Sequence, residues 1–135
     1  MNYLVDANVL SEATRPEPAA AVLDWLRRHE ADLVVTPIVL GEIEYGIRLM
    51  PAGRKRTRLL QWFAQGVKRL RVLDLDAETG TTWAMLLGRL KQQGRAMPVK
   101  DSLIAASAIQ HRLTIATRNQ NDFRNAGVPL VDPFE

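Results

Sequence analysis

Short apolar runs alternate with long helical stretches along this chain, and that alternation restricts it to βα units wound around a parallel sheet. Tyr3–Val5 opens the pattern as an uninterrupted apolar run, the character of a strand covered on both faces. Residues 19–28 read as a helix after the break at Pro16 and Pro18. A second strand is predicted at 33–36, and Pro37 leads into a helix over 38–50. Residues 54–70 carry Leu59, Leu60, Trp62, Phe63, Val67 and Leu70 on a charged amphipathic helix, which pairs with its predecessor across Pro51-Ala52-Gly53. The pattern then predicts a third strand at 71–75, a helix capped by Asp76 and ended at Gly94, and a helix after Met97-Pro98. A strand at 113–117, a loop with a short helix over 119–127 and an edge strand at 129–131 complete it. A chain of 135 residues with 47% hydrophobic residues suits one packed core, so a single domain over 1–135 is expected.

Composition narrows the chemistry. The chain has no cysteine, which excludes disulfides and thiolate chemistry, and only His29 and His111 offer imidazole, so any metal would be held by oxygen. The net charge is only +3, and the placement of the basic residues matters more than their sum. Arg54, Lys55, Arg56 and Arg58, then Lys68, Arg69 and Arg71, bracket one helix, while Arg89, Lys91, Arg95 and Lys100 form a second group. Such clusters suit a polyanion, and they equally describe solvated helix faces. No apolar stretch approaches the roughly 20 residues of a membrane span. The N-terminus has no basic leader and reaches Asp6 at once, so no signal peptide and a cytoplasmic location are expected.

Three carboxylates stand where the apolar patterning disfavours charge: Asp6 after Tyr3–Val5, Glu42 within 38–50, and Asp101 at the head of the small-residue helix. At about 100° per residue, Glu42 falls on the same arc as Ile38, Val39, Gly46 and Leu49, whereas Glu44 and Arg48 fall opposite, so Glu42 is predicted inward and Glu44 outward. Asp6 is an ordinary N-cap for the following helix, with Asn8 and Ser11 as alternative caps. It also lies beyond the carboxyl end of a strand, where open α/β sheets bind ligands. Asp101 suits the first turn of a helix, and the small residues after it let that helix approach its neighbours closely. Three inward acids repel one another unless a cation joins them, and oxygen ligands point to magnesium or manganese.

Four segments in order, Leu4-Val5-Asp6-Ala7-Asn8-Val9-Leu10, Gly41-Glu42-Ile43-Glu44-Tyr45-Gly46, Asp101-Ser102-Leu103-Ile104-Ala105-Ala106 and Ala116-Thr117-Arg118-Asn119, resemble the motifs of PIN-domain ribonucleases. The resemblance spans the whole chain and is nearest to the VapC and FitB type toxins of bacterial toxin–antitoxin pairs. It implies a three-layer α/β/α sandwich with a mostly parallel sheet of about five strands. It also implies that Asp6, Glu42 and Asp101 hold one or two Mg2+ ions (or Mn2+), so that metal-activated water hydrolyses RNA phosphodiester bonds. Asn8 would orient a carboxylate or a water, and Thr117 would contribute a hydroxyl. Where many relatives have an aspartate after the Thr-Arg pair this chain has Asn119, and Asp122 is the other candidate for that fourth position. The resemblance further implies a homodimer and a small antitoxin that covers the site and carries the complex to operator DNA. The Trp62-Phe63 stripe is a candidate for that contact or for core, and Arg54, Lys55, Arg56 and Arg58 would guide RNA.

Two other readings compete. A haloacid-dehalogenase-like phosphatase also starts with an aspartate after its first strand, but it needs a second acid where Asn8 stands. A non-catalytic RNA-binding module of the same fold draws support from Asn119 alone and is opposed by the three intact acids.

Overall fold

The computed structural model describes residues 2–135. Five strands form one wholly parallel sheet: β1 (Tyr3–Val5), β2 (Leu33–Val35), β3 (Arg71–Val72), β4 (Thr114–Ala116) and β5 (Leu130–Val131), in the spatial order β3-β2-β1-β4-β5. Seven α-helices accompany them among the described residues: α1 (Ala7–Ser11), α2 (Ala20–Arg28), α3 (Pro37–Arg48), α4 (Arg54–Gln65), α5 (Ala77–Gln92), α6 (Val99–His111) and α7 (Gln120–Phe123). The path runs outward from β1 to β3, returns across the sheet to β4, and continues to β5. Right-handed crossovers therefore put α1 to α4 on one face and α5 and α6 on the other, which is the expected three-layer sandwich.

The core lies where the central strands meet these layers. Leu4, Val5, Val34, Val35 and Ile115 are buried, consistent with strands covered on both faces. On α3 the buried residues are Val39, Ile43 and Ile47, and on α5 Leu86 and Leu90 face inward. α6 is buried at Ser102 and at every residue from 104 to 108, so its small side chains do let it lie close to α5 and α3.

Two expected boundaries shift, each for a local reason. The helix expected to reach 70 stops at Gln65, because Gly66 turns so tightly that a Cβ there would lie 3.0 Å from the Trp62 carbonyl oxygen; a 3-10 turn follows. The third strand keeps only two exposed edge residues before the chain turns toward Asp76, whose side chain forms a capping box with Thr79. Asp6, rather than Asn8 or Ser11, caps α1.

The strand order reverses beside β1. Crossovers leave β1 and its neighbour β4 toward opposite faces, which opens a crevice beyond their carboxyl ends, and Asp6 and Thr117 are the residues that follow these two strands.

Candidate active site

The register Val5 to Ala116, extended by the bond from the Asp6 amide to the Ala116 carbonyl at 2.9 Å, brings Asp6 level with Thr117. Asp6 is only 5% exposed, and both of its oxygens are occupied. Oδ1 accepts the Ala7 amide at 2.9 Å, which is the cap on α1, while Oδ2 accepts the Thr117 hydroxyl at 2.8 Å and the Asn8 amide nitrogen at 3.1 Å. Asp6 thus caps α1 through Oδ1 and faces the network of Thr117 and Asn8 through Oδ2.

Thr117 and Asn8 stand behind that carboxylate as a closed network. The Thr117 hydroxyl, while donating to Asp6, accepts from the Asn119 amide at 3.0 Å and from Asn8 at 3.3 Å. Asn8 Oδ1 in turn accepts the Arg118 amide at 3.0 Å. Every polar atom of these two side chains is used, which holds Asp6 in one orientation and ties the end of β4 to the start of α1.

A cleft of about 570 Å³ opens over this network. Its charged lining consists of Asp6, Glu42 from α3, Lys100 and Asp101 from α6, and Asp122 from α7, with Asn8 and Asn119 beside them. Its apolar wall includes Ile43, Ile47, Leu59 and Trp62. The expected acids therefore share one cavity, and the fourth-position candidates Asn119 and Asp122 both line it. No three acids among the described residues are gathered tightly enough to ligate one ion as they lie.

The electrostatics of Asp101 reflect this crowding. Burial, followed by the charges of Asp6, Asp122 and Glu42, pushes its carboxyl up to about 6, and Lys100 acts in the opposite sense. Its place on α6 is fixed by Ser102, whose hydroxyl donates to the Val99 carbonyl at 2.7 Å and accepts the Trp83 indole N–H at 2.9 Å.

The angular reading of α3 needs correction. Glu42 and Glu44 have similar side-chain exposure, 34% and 31%. Leu49, placed on the inward arc, is instead 67% exposed at the helix end, since the buried stripe runs through Val39, Ile43 and Ile47. What separates the two glutamates is direction. Glu42 opens onto the cleft and meets Lys100 Nζ at 3.5 Å, whereas Glu44 accepts Arg48 Nε at 2.7 Å on the helix surface. That arginine bond holds the Glu44 carboxyl below its usual range.

The basic groups divide on closer view. Arg54, Lys55 and Arg58 are exposed on α4, but Arg56 is half-buried, with an Nε that has no hydrogen-bond partner. None of the four lines the cleft. The second group is not a patch. Arg89 donates to the carbonyls of Asn125 and Ala126, at 3.4 and 2.7 Å, and Arg95 donates to Asn125 Oδ1 at 3.1 Å, so both brace the segment after α7. Lys100 alone of that group reaches the cleft, and neither charge counting nor helical angle distinguishes it, because its position there depends on α6 lying against α3. Glu12 is a further buried acid that patterning missed. It accepts the Ala19 amide at 2.8 Å and holds the entry to α2. Trp62 is half-buried and lines the cleft, so it is both wall and partial core.

Comparison with known proteins agrees with this architecture. The PIN-domain family model matches residues 3–129. The chain is 32% identical over 136 aligned residues to the VapC ribonuclease Y4jK of Sinorhizobium fredii, with 98% of this chain and 97% of that protein covered. It is 33% identical to the toxin FitB of Neisseria gonorrhoeae, with 97% of each covered. A solved structure of FitAB bound to an IR36 DNA fragment contains a chain that superposes with a TM-score of 0.91 at 31% identity, covering 98% of this chain and 96% of that one. A family match over nearly the full length, joined to a cleft of acids at the carboxyl ends of β1 and β4, leads to one conclusion: this chain belongs to the PIN-domain family.

Proposed function

We propose that this protein is a metal-dependent endoribonuclease and the toxin of a toxin–antitoxin pair. The observation that carries the reading is the convergence of Asp6, Glu42, Asp101 and Asp122 on one cleft at the sheet's reversal point, in a chain related along its whole length to a VapC ribonuclease and to toxin FitB.

The donor set fits a hard divalent cation. The acids lining the cleft offer only oxygen, the chain has no cysteine, and the carboxyl of Asp101 is raised first by burial and then by the charges of its acidic neighbours, a repulsion that a cation relieves. In this reading Asp6, Glu42 and Asp101 are the ligands and Mg2+ is the physiological ion, with Mn2+ able to replace it. When bound, the ion supplies acidification of a water and compensation of the charge that grows on the phosphate in the transition state. Thr117 and Asn8 keep Asp6 oriented, and Asn119 and Asp122 compete for the fourth position, where only Asp122 adds charge. No side-chain nucleophile is required.

The partners follow from the same kinship. A small antitoxin would occlude the cleft and carry the complex to operator DNA, the toxin would act as a homodimer, and it would meet its RNA substrate in the cytoplasm. Exposed Arg54, Lys55 and Arg58 would attract RNA toward an otherwise repulsive pocket. The whole chain, 1–135, is one domain in this account. The PIN match leaves a dehalogenase-like phosphatase without support.

Purified protein should cut total cellular RNA with Mg2+ or Mn2+ and lose that activity in EDTA. Expression of the chain alone should arrest growth, and Asp101→Asn should relieve the arrest. RNA that is bound in a salt-dependent manner but left intact with either ion would overturn the reading in favour of a non-catalytic module.

A further inference from the structure

The substrate of this cleft is a polyanion, yet its acidic lining repels one. Among the described lining residues Lys100 is the only cation. It is the second residue of α6, directly before Asp101, and its ammonium reaches across the cleft to Glu42 Oε2 at 3.5 Å. The contact is loose. Its length exceeds that of a good charge-assisted hydrogen bond, and the lysine side chain is 62% exposed, so solvent screens the pair and little holds it closed. Three donors fix Asp6, whereas Glu42 has this one ion pair.

We infer that Lys100 is a substrate-binding residue that is parked on Glu42 until the site is loaded and then takes a phosphate of the RNA. The inference rests on the ribonuclease reading. Two cations compete for one carboxylate. Glu42 is contested by the ammonium and a divalent cation, because the like charges of the two disfavour holding both on one carboxylate. Once Glu42 turns to a cation, the ammonium is left at the rim of the cleft beside Asp101, on a flexible four-carbon stem. The nearest anion of unlimited supply there is the incoming phosphodiester. A lysine suits this exchange better than an arginine, since a compact point charge gives up one oxygen partner and accepts another without having to match a bidentate geometry.

This arrangement predicts opposite movements in two equilibria, which a structural role does not produce. The test compares wild type with Lys100→Gln and Lys100→Arg. Mn2+ affinity is read from the free-ion EPR signal, and affinity for a fluorescent mixed-sequence 20-nucleotide RNA is read by anisotropy in Ca2+ over a range of NaCl. Lys100→Gln should bind Mn2+ up to about fivefold more tightly, because Glu42 is released from a weak pair. The same variant should bind RNA about three- to tenfold more weakly, with a salt slope shallower by about 0.7, the value of one lost phosphate contact on a single strand. Lys100→Arg should restore most of the RNA affinity. Unchanged RNA affinity and salt slope in Lys100→Gln, with wild type cutting total RNA normally, would overturn the inference and leave the ribonuclease reading intact. A parallel loss of Mn2+ and RNA binding would also overturn it, as the mark of a structural role. A wild type that binds Mn2+ yet leaves total RNA uncut would overturn the underlying reading and this inference with it.

Discussion

Asp101→Asn should make the cation-free protein more stable while removing its activity. The rise of the carboxyl from the ordinary aspartate value of 3.8 to about 6 means that the folded protein disfavours the ionised form. At about 1.4 kcal/mol per tenfold change in proton affinity, the ceiling on that penalty is about 3 kcal/mol. Partial solvent access to the cleft reduces it to about 1–2 kcal/mol. Loss of a negative charge from the first turn of α6 takes back about 0.5 kcal/mol. A net gain of about 1 kcal/mol corresponds to a Tm increase of about 3–5 °C for a domain of this size. The sign with pH follows from the direction of the shift. The penalty is complete above about pH 6, where Asp101 is ionised in both states, shrinks as the folded protein takes up its proton, and is absent below 3.8. Scanning calorimetry in EDTA should therefore show the variant ahead of wild type at pH 8, with the advantage smaller at pH 5 and nearly gone at pH 4. Added Mn2+ should raise the wild-type Tm more than that of the variant. A variant less stable than wild type at pH 8, or an advantage that grows as the pH falls, would refute the idea that burial and neighbouring acids disfavour the ionised form of Asp101.

Other outcomes follow from the same geometry. Thr117→Val keeps the shape but removes the hydroxyl that joins Asp6, Asn8 and Asn119; it should lower stability by about 1–2 kcal/mol in denaturant titration and lower RNA cleavage about 10- to 100-fold with the fold retained by circular dichroism. Arg89→Met leaves the Asn125 and Ala126 carbonyls without their guanidinium and should cost about 1–3 kcal/mol, with amide exchange quickening first in the segment after α7 that follows Asp122.

The sequence by itself determined the layer architecture and the identity of the expected acids. Alternating apolar runs and helices can bury their hydrophobic faces only by stacking around a parallel sheet. The punctuation at Pro37, Asp76, Gly94 and Pro98 marked element ends to within a few residues, because caps and breakers act locally. Asp6, Glu42 and Asp101 stood out as charges in apolar settings, and the four ordered motifs marked their kinship. Distances between elements remained hidden. Helical angle assigned Glu42 to the interior, but its environment is a cleft whose facing wall belongs to α6, about sixty positions later in the chain. Lys100 was indistinguishable from Arg89 and Arg95 until packing sent the two arginines to the backbone carbonyl and side-chain oxygens after α7 and sent the lysine to Glu42. Thr117 reached Asp6 only through the pairing of β1 with β4, a contact that spans 111 positions. Periodicity and capping depend on neighbours a few residues apart and can be read along the chain. The charge balance of the cleft depends on which helices meet across the reversal of the sheet, and only the tertiary structure decides that.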